Sequence, residues 1–223
     1  IVSRADMLAE LMRNKHSIAI AGSHGKTTTT SLVGSILQGC KKDPTIVNGG
    51  IINAFSSNNL FGLGKWMIVE ADESDGSFLR LPHEINIITN IDKEHLDYYK
   101  SFKKLMSSFE SFATNIPFYG FTIICLENKN SKKLAKKIKT RKVIKYGLNK
   151  KEADLNILKI ITKDNCSIIL LKINTKKFKK YKETYSFTLN LLGKHNVLNA
   201  VASIGVGLLL QLPINKIKKS LIN

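Results

Sequence analysis

Residues 16–31 read HSIAIAGSHGKTTTTS. The apolar run at 16–21 predicts a short buried strand, and residues 28–38 predict a helix. Between them, Gly22-Ser23-His24-Gly25-Lys26-Thr27 forms a glycine-containing turn. Glycines let the backbone fold tightly and aim its N–H groups at an anion, and the helix N-terminus adds a favourable dipole. Lys26 then places a cation on terminal phosphates, and the Thr27 hydroxyl suits Mg²⁺. The match to the usual phosphate-loop pattern is incomplete, because Ile20 stands where its first glycine belongs.

Outward from this stretch, residues 4–13 have helical spacing, with Met7, Leu8, Leu11 and Met12 on one face. A strand at 45–47 leads into a Gly49-Gly50 loop. Residues 66–69 form a strand ending at Glu70, and residues 85–88 one ending at Thr89-Asn90. An amphipathic helix (101–113), a strand (121–126), a basic helix (129–139) and a strand (143–146) follow. This alternation predicts an α/β fold, a three-layer αβα P-loop-type domain with a mostly parallel sheet. From 154 to 192 the runs LNILKIIT, SIILLKI and YSFTLNLL, with a turn at Asp164-Asn165, predict a small antiparallel β subsheet that does not continue the parallel one. A helix over 193–210 closes the pattern. Residues 14–150 and 190–215 are expected to form the main layer of one domain spanning 1–223.

Three further stretches carry candidate chemistry. Glu70-Ala71-Asp72-Glu73-Ser74-Asp75 leaves a strand where open α/β sheets bind ligands. Glu70 suits an oxygen ligand for Mg²⁺; Asp72 and Glu73 fit a solvated acidic turn equally well. His95 stands among Asp92, Glu94 and Asp97, as a metal ligand or as a surface residue. Asn196 and Asn199 share a helix face, where amides can read an adenine edge, or Asn196 caps the helix.

The chain has 223 residues, with 35 Lys plus Arg, 17 Asp plus Glu and a net charge of +18. The excess is local. Residues 1–128 carry 12 basic and 13 acidic side chains, whereas residues 129–182 carry 19 basic and 3 acidic ones. A nucleic-acid-binding NTPase module, the competing reading, requires aromatics free to stack among the lysines. Only Phe178 and Tyr181, in KKFKKYK, lie in a lysine cluster. The lysines of 176–182 could also supply a positive field that draws in anionic substrates. No apolar run reaches ~18 residues and no signal peptide pattern opens the chain, so a cytoplasmic protein without a membrane partner is expected. Cys40, Cys125 and Cys166 are odd in number and widely spaced, which suggests a reducing compartment and no zinc site. The chain starts at Ile1 and not at Met, which suggests an excised fragment.

Four stretches in order, AGSHGKTTTTS (21–31), VEADESDGSF (69–78), TNIDKEHLDYY (89–99) and GKHNVLNA (193–200), resemble the Mur ligases, ATP-dependent ligases that build the peptidoglycan stem peptide. The resemblance covers essentially the whole chain. It implies the central ATP-binding domain of a three-domain enzyme, without the UDP-binding N-terminal domain and the C-terminal domain. VEADESDGSF favours the member that joins L-alanine to UDP-N-acetylmuramate, through an acyl phosphate, over the tripeptide-recycling member. It implies ATP and Mg²⁺ as cofactors and no nucleic-acid partner. Lys26 would hold the ATP phosphates within Gly22, Ser23, His24, Gly25, Thr27 and Thr28. Thr27 would ligate one Mg²⁺, and Glu70 and His95 the Mg²⁺ near the γ-phosphate and substrate carboxylate; Lys26, Glu70 and His95 form the catalytic set. Asn196 and Asn199 would meet the adenine, with His195 beside them. Two features depart from the family pattern: Lys194 stands where arginine is frequent, and LENKN (126–130) replaces an Asp-bearing turn.

Overall fold

The computed structural model describes residues 1–52 and 57–222. Among them, one ten-stranded sheet carries helices on both faces, as the alternation of strands and helices requires. The strands are β1 (His16–Ala21), β2 (Thr45–Ile52), β3 (Ser57–Leu60), β4 (Trp66–Glu70), β5 (Ile85–Ile88), β6 (Phe121–Cys125), β7 (Lys142–Leu148), β8 (Leu155–Lys163), β9 (Cys166–Ile173) and β10 (Thr184–Leu189). Their order across the sheet is β10-β9-β8-β7-β6-β5-β1-β4-β2-β3. The helices are α1 (Arg4–Met12), α2 (Lys26–Gly39), α3 (Leu96–Tyr99), α4 (Phe102–Thr114), α5 (Lys129–Lys137), α6 (Lys194–Leu209) and α7 (Ile214–Ser220).

β1 is central because it can be buried on both faces. Ile18 and Ile20 face one core with α2, α6 and α7; Ala19 and Ala21 face the other, with α1, α4 and α5. β1 pairs in parallel with β4 on one side and β5 on the other. Its carboxyl end therefore opens at a switch point of the sheet, where α/β folds bind ligands.

Several sequence expectations change. The antiparallel strands form, but they extend the main sheet: β8 pairs in parallel with β7 through Tyr146↔Leu155 and antiparallel with β9. Asp164, at φ 50°, makes the β8–β9 turn. β2 does not stop at Val47. It runs through Gly49 and Gly50 to Ile52 and pairs with β3. On α1, Met12 is buried while Met7 and Leu11 are 53% and 58% exposed, so the packed face is narrower than the spacing implies.

The lysine cluster also has a definite place. Phe178 and Tyr181 are buried, so neither ring is available to stack on a base. The cluster shares a groove with Phe121 and Lys142, the first residues of β6 and β7, and with Leu208 and Leu209 at the end of α6. At 1.5 Å per residue, about 20 Å of helix separates that end of α6 from Asn196 in its first turn. Charge fields decay over about 8 Å at physiological salt, so this cluster acts on the glycine turn at 22–27 only through strong screening. Among the described residues no helix is long and apolar enough to cross a membrane.

Candidate functional site

The loop leaving β1 turns at Gly22, with φ 133°, and at Gly25, with φ 82°, conformations that favour glycine. Both also sit where a side chain would collide. A Cβ on Gly22 would lie 2.2 Å from Thr89 Oγ1, and one on Gly25 would lie 2.7 Å from Asn199 Oδ1. Gly25 is the N-cap of α2, so the helix begins at Lys26, two residues earlier than its sequence pattern suggests. The first amides of a helix have no intrahelical acceptor, and here they follow the glycine loop directly.

The loop is braced by the end of β5. The His24 amide donates to Asn90 Oδ1 at 2.8 Å, and Asn90 Nδ2 returns a bond to the His24 carbonyl at 2.9 Å. Thr89 Oγ1 donates to the same carbonyl at 2.7 Å. Ser23 Oγ accepts from the Asp92 amide at 2.9 Å. Thr89 and Asn90 leave β5 as Glu70 leaves β4. That shared placement was the signal that could have marked Asn90 as a loop-shaping residue.

Acidic side chains reach the loop from β4. Thr27 Oγ1 donates to Glu70 Oε2 at 3.0 Å, and the Gly49 amide on β2 donates to the same oxygen at 3.0 Å. Lys26 Nζ donates to the Gly22 carbonyl and to Glu73 Oε2, each at 2.9 Å. Glu73 is not part of a solvated turn: its side chain is 1% exposed, whereas Asp72 is exposed. Burial pushes the Glu73 carboxyl above its ordinary value, and the Lys26 cation only partly opposes this. The Tyr99 hydroxyl donates to the Glu73 carbonyl at 2.5 Å, fixing the backbone that carries the acid.

His95 stands at φ 56°, in the left-handed region, just ahead of α3. Its Nε2 lies 4.0 Å from Glu73 Oε1, a buried oxygen with no hydrogen-bond partner among the described residues. Glu73, Glu94 and His95 bring ligand atoms within 4.8 Å of one another. His24 Nε2 approaches Glu94 at 3.4 Å and Asp92 at 3.5 Å. The structure thus joins Thr27 to Glu70, and His95 to Glu73 and Glu94; it does not place Glu70 in the His95 cluster. An orphaned carboxylate oxygen beside a second carboxylate and an imidazole fits a hard divalent cation bound together with phosphate oxygens.

α6 supplies the opposite wall. Its N-cap is Gly193, so Asn196 is not the cap; Asn196 Nδ2 donates back to the Leu192 carbonyl at 2.8 Å. Asn199 is buried against Gly25, while His195 is exposed, and Thr28 lies in the first turn of α2. The first turn of α6 is tied to the sheet by Glu127, which follows β6. One oxygen accepts from Lys194 Nζ at 2.8 Å, the other from the Leu148 amide at 3.0 Å, with Lys150 Nζ at 3.5 Å. Partial burial pushes the Glu127 carboxyl up, but these donors outweigh it and hold it below its ordinary value.

A family model for the Mur ligase middle domain matches residues 20–207. The UDP-N-acetylmuramate–L-alanine ligase of Rhodopseudomonas palustris (strain BisA53) is 45% identical over 221 residues, 99% of this chain and 47% of that protein. Its counterpart from Sinorhizobium medicae is 48% identical over 206 residues, 92% of this chain and 44% of that protein. Among solved structures, the UDP-N-acetylmuramate-alanine ligase of Thermotoga maritima superposes with TM-score 0.80 at 26% identity, over 96% of this chain and 46% of that one. A UDP-N-acetylmuramate:L-alanyl-γ-D-glutamyl-meso-diaminopimelate ligase from Neisseria meningitides shares the fold, with TM-score 0.83 at 18% identity, over 99% of this chain and 69% of that one. The chain spans about half the length of the curated relatives it matches.

Proposed function

The chain belongs to the Mur ligase family, whose middle domain it matches, and from that premise we propose that it is the ATP-binding part of a ligase joining L-alanine to UDP-N-acetylmuramate. The observation that carries this reading is one juxtaposition. The loop after β1 presents Lys26 and Thr27 to two carboxylates leaving β4, Glu70 and Glu73, within 3.0 Å.

In this reading Lys26 and the loop of Gly22, Ser23, His24 and Gly25, with Thr28, hold the polyphosphate. Charge on the transferring phosphoryl group is met by a cation already desolvated, so little reorganisation is needed. Thr27 and Glu70 would hold one Mg²⁺; His95, with Glu73 and Glu94, would hold the second. Bound Mg²⁺ supplies electrostatic stabilisation of phosphate oxygens. Asn196, Asn199 and His195, in the first turns of α6, would meet the nucleotide base. The sugar-nucleotide carboxylate attacks the γ-phosphate, giving an acyl phosphate and ADP, and the alanine amine then displaces phosphate from the acyl carbon. The sites for that sugar nucleotide and for alanine draw on parts of the enzyme beyond this domain. A cytoplasmic setting belongs to the same proposal.

Two measurements test it. MgATP should bind this chain, and Lys26→Ala should abolish binding; undiminished binding by the variant overturns the nucleotide site. In the longer polypeptide that carries the domain, ADP release should require both UDP-N-acetylmuramate and L-alanine. Turnover with the L-alanyl-γ-D-glutamyl-meso-diaminopimelate tripeptide but not with L-alanine would assign the chain to the recycling member instead.

A further inference from the structure

We propose that the groove between the loop joining β9 to β10, the first residues of β6 and β7, and the end of α6 is a second binding site, for a small organic anion with an apolar body. The groove has a volume of about 700 Å³. Its floor includes Phe121, Val143, Phe178 and Leu209, and the Phe178 ring is only 4% exposed. An apolar floor of this kind takes hydrocarbon or an aromatic ring.

The rim has one sign of charge. Arg141, Lys142, Lys179 and Lys180 line it, and among the described residues none of the four has a carboxylate partner. Lys177 is the exception, since Asp154 neutralises it at 2.9 Å. No acidic side chain lines the groove among the described residues. Unpaired cations gathered around a low-dielectric floor raise the local concentration of anions.

The walls are fixed before any ligand arrives. Arg141 Nε donates to the Thr114 carbonyl at 3.0 Å and one Nη to the Thr140 carbonyl at 3.1 Å, which orients the fork and leaves its other N–H groups without a partner among the described residues. A held guanidinium suits a carboxylate or phosphate oxygen pair. The loop itself is anchored at both ends. Lys177 Nζ donates to the Val143 carbonyl at 2.8 Å, and the Tyr181 hydroxyl donates to the Leu212 carbonyl at 2.9 Å. Lys142 Nζ lies 5.1 Å from the centre of the Phe121 ring, placing charge directly above the floor. Such ordering lowers the entropy lost on binding. The groove is a helix length from the phosphate loop, so the proposal stands apart from the ligase reading.

Titration calorimetry of this chain with octyl phosphate, inorganic phosphate and octanol tests it. Octyl phosphate should bind about tenfold or more tightly than either fragment alone, because head and tail are met together. Arg141→Gln combined with Lys179→Gln should weaken octyl phosphate about tenfold and leave MgATP affinity unchanged. If that variant unfolds, Lys142→Gln with Lys179→Gln, two lysines whose side chains hold no backbone group among the described residues, should weaken octyl phosphate in the same direction. Equal affinity for inorganic phosphate would mean a diffuse cationic surface, and equal affinity for octanol a nonspecific apolar one. Either result overturns the proposal. So does octyl phosphate binding that ignores the folded charge variant, or binding of phosphatidylglycerol vesicles without binding of octyl phosphate.

Discussion

Lys26 Nζ lies 2.9 Å from Oε2 of Glu73, a carboxylate that is 1% exposed, and the lysine itself is only 13% exposed. The cation of the loop after β1 and the buried acid after β4 are therefore one coupled unit. Removing one member strands the other. Lys26→Met should destabilise the chain by about 3 kcal/mol, the lower end for breaking a buried pair. Lys26→Met with Glu73→Gln should regain most of that stability, because no unpaired charge remains. Neither variant should bind MgATP. Urea unfolding beside calorimetry separates the two effects, and a single variant as stable as the parent chain would show that the pair is not coupled.

The β-strand core and the glycine turn that opens α2 were legible in the sequence because both are local. An apolar run followed by Gly-x-x-Gly-Lys-Thr specifies strand, turn and helix within a dozen residues. The role of Glu73 was not legible. Whether an acid in a run of acids is solvated depends on what covers it, and Glu73 is covered by Lys26 and Tyr99, each more than twenty residues away. The same holds for β8–β10. Their alternation announced an antiparallel sheet, but the parallel pairing of Tyr146 with Leu155 that joins it to β7 leaves no local mark. Glycine misled in the other direction: Gly49-Gly50 looked like a loop, yet the strand runs through it and the Gly49 amide meets Glu70.

Gly25 joins backbone conformation to packing. Its φ of 82° lies in the left-handed region, and an added Cβ would meet the Asn199 amide group at 2.7 Å and 3.0 Å. Gly25→Ala should cost about 1–2 kcal/mol in backbone strain alone. It should also push Asn199 away from the loop, so MgATP affinity should fall more than stability predicts. Asn199→Ala should relieve the collision and recover part of the stability. Equal stability losses in Gly25→Ala with and without the Asn199 change would rule out the contact.

His83 ties stability to pH. It is 5% exposed, and its ring nitrogens face two carbonyls, of Leu81 at 2.7 Å and Phe112 at 3.1 Å. Burial pushes its pKa below 6.5, and the two carbonyls only partly oppose this. The folded chain thus holds His83 neutral where the unfolded chain has taken up a proton. The stability it contributes is complete above pH 6.5 and declines as pH falls toward the depressed folded value, by up to about 1.4 kcal/mol per pH unit. His83→Gln should flatten that decline in urea midpoints measured between pH 7.5 and 5.5 (roughly one unit either side of the histidine pKa). An unchanged slope would assign the pH dependence to other groups.

Glu127 and Lys194 lie in two stretches where the sequence reading expected a departure from the family pattern, and in the structure they touch at 2.8 Å. The contact holds the first residue of α6 to the end of β6, and α6 carries Asn196 and Asn199. Lys194 is 55% exposed, so the ion pair itself contributes at most about 1 kcal/mol. Its effect should appear in the placement of α6. Glu127→Ala should reduce MgATP affinity a few-fold while leaving the Lys26–Glu73 pair, and with it most of the stability, in place. Glu127→Asp should weaken binding because the shorter acid does not reach Lys194. Adding Lys194→Arg should restore it, since the longer, forked donor spans the gap. A coupling of about 0.5 kcal/mol or more in that double-mutant cycle marks the pair as one unit. Strictly additive losses would mean that Glu127 acts only through the Leu148 amide.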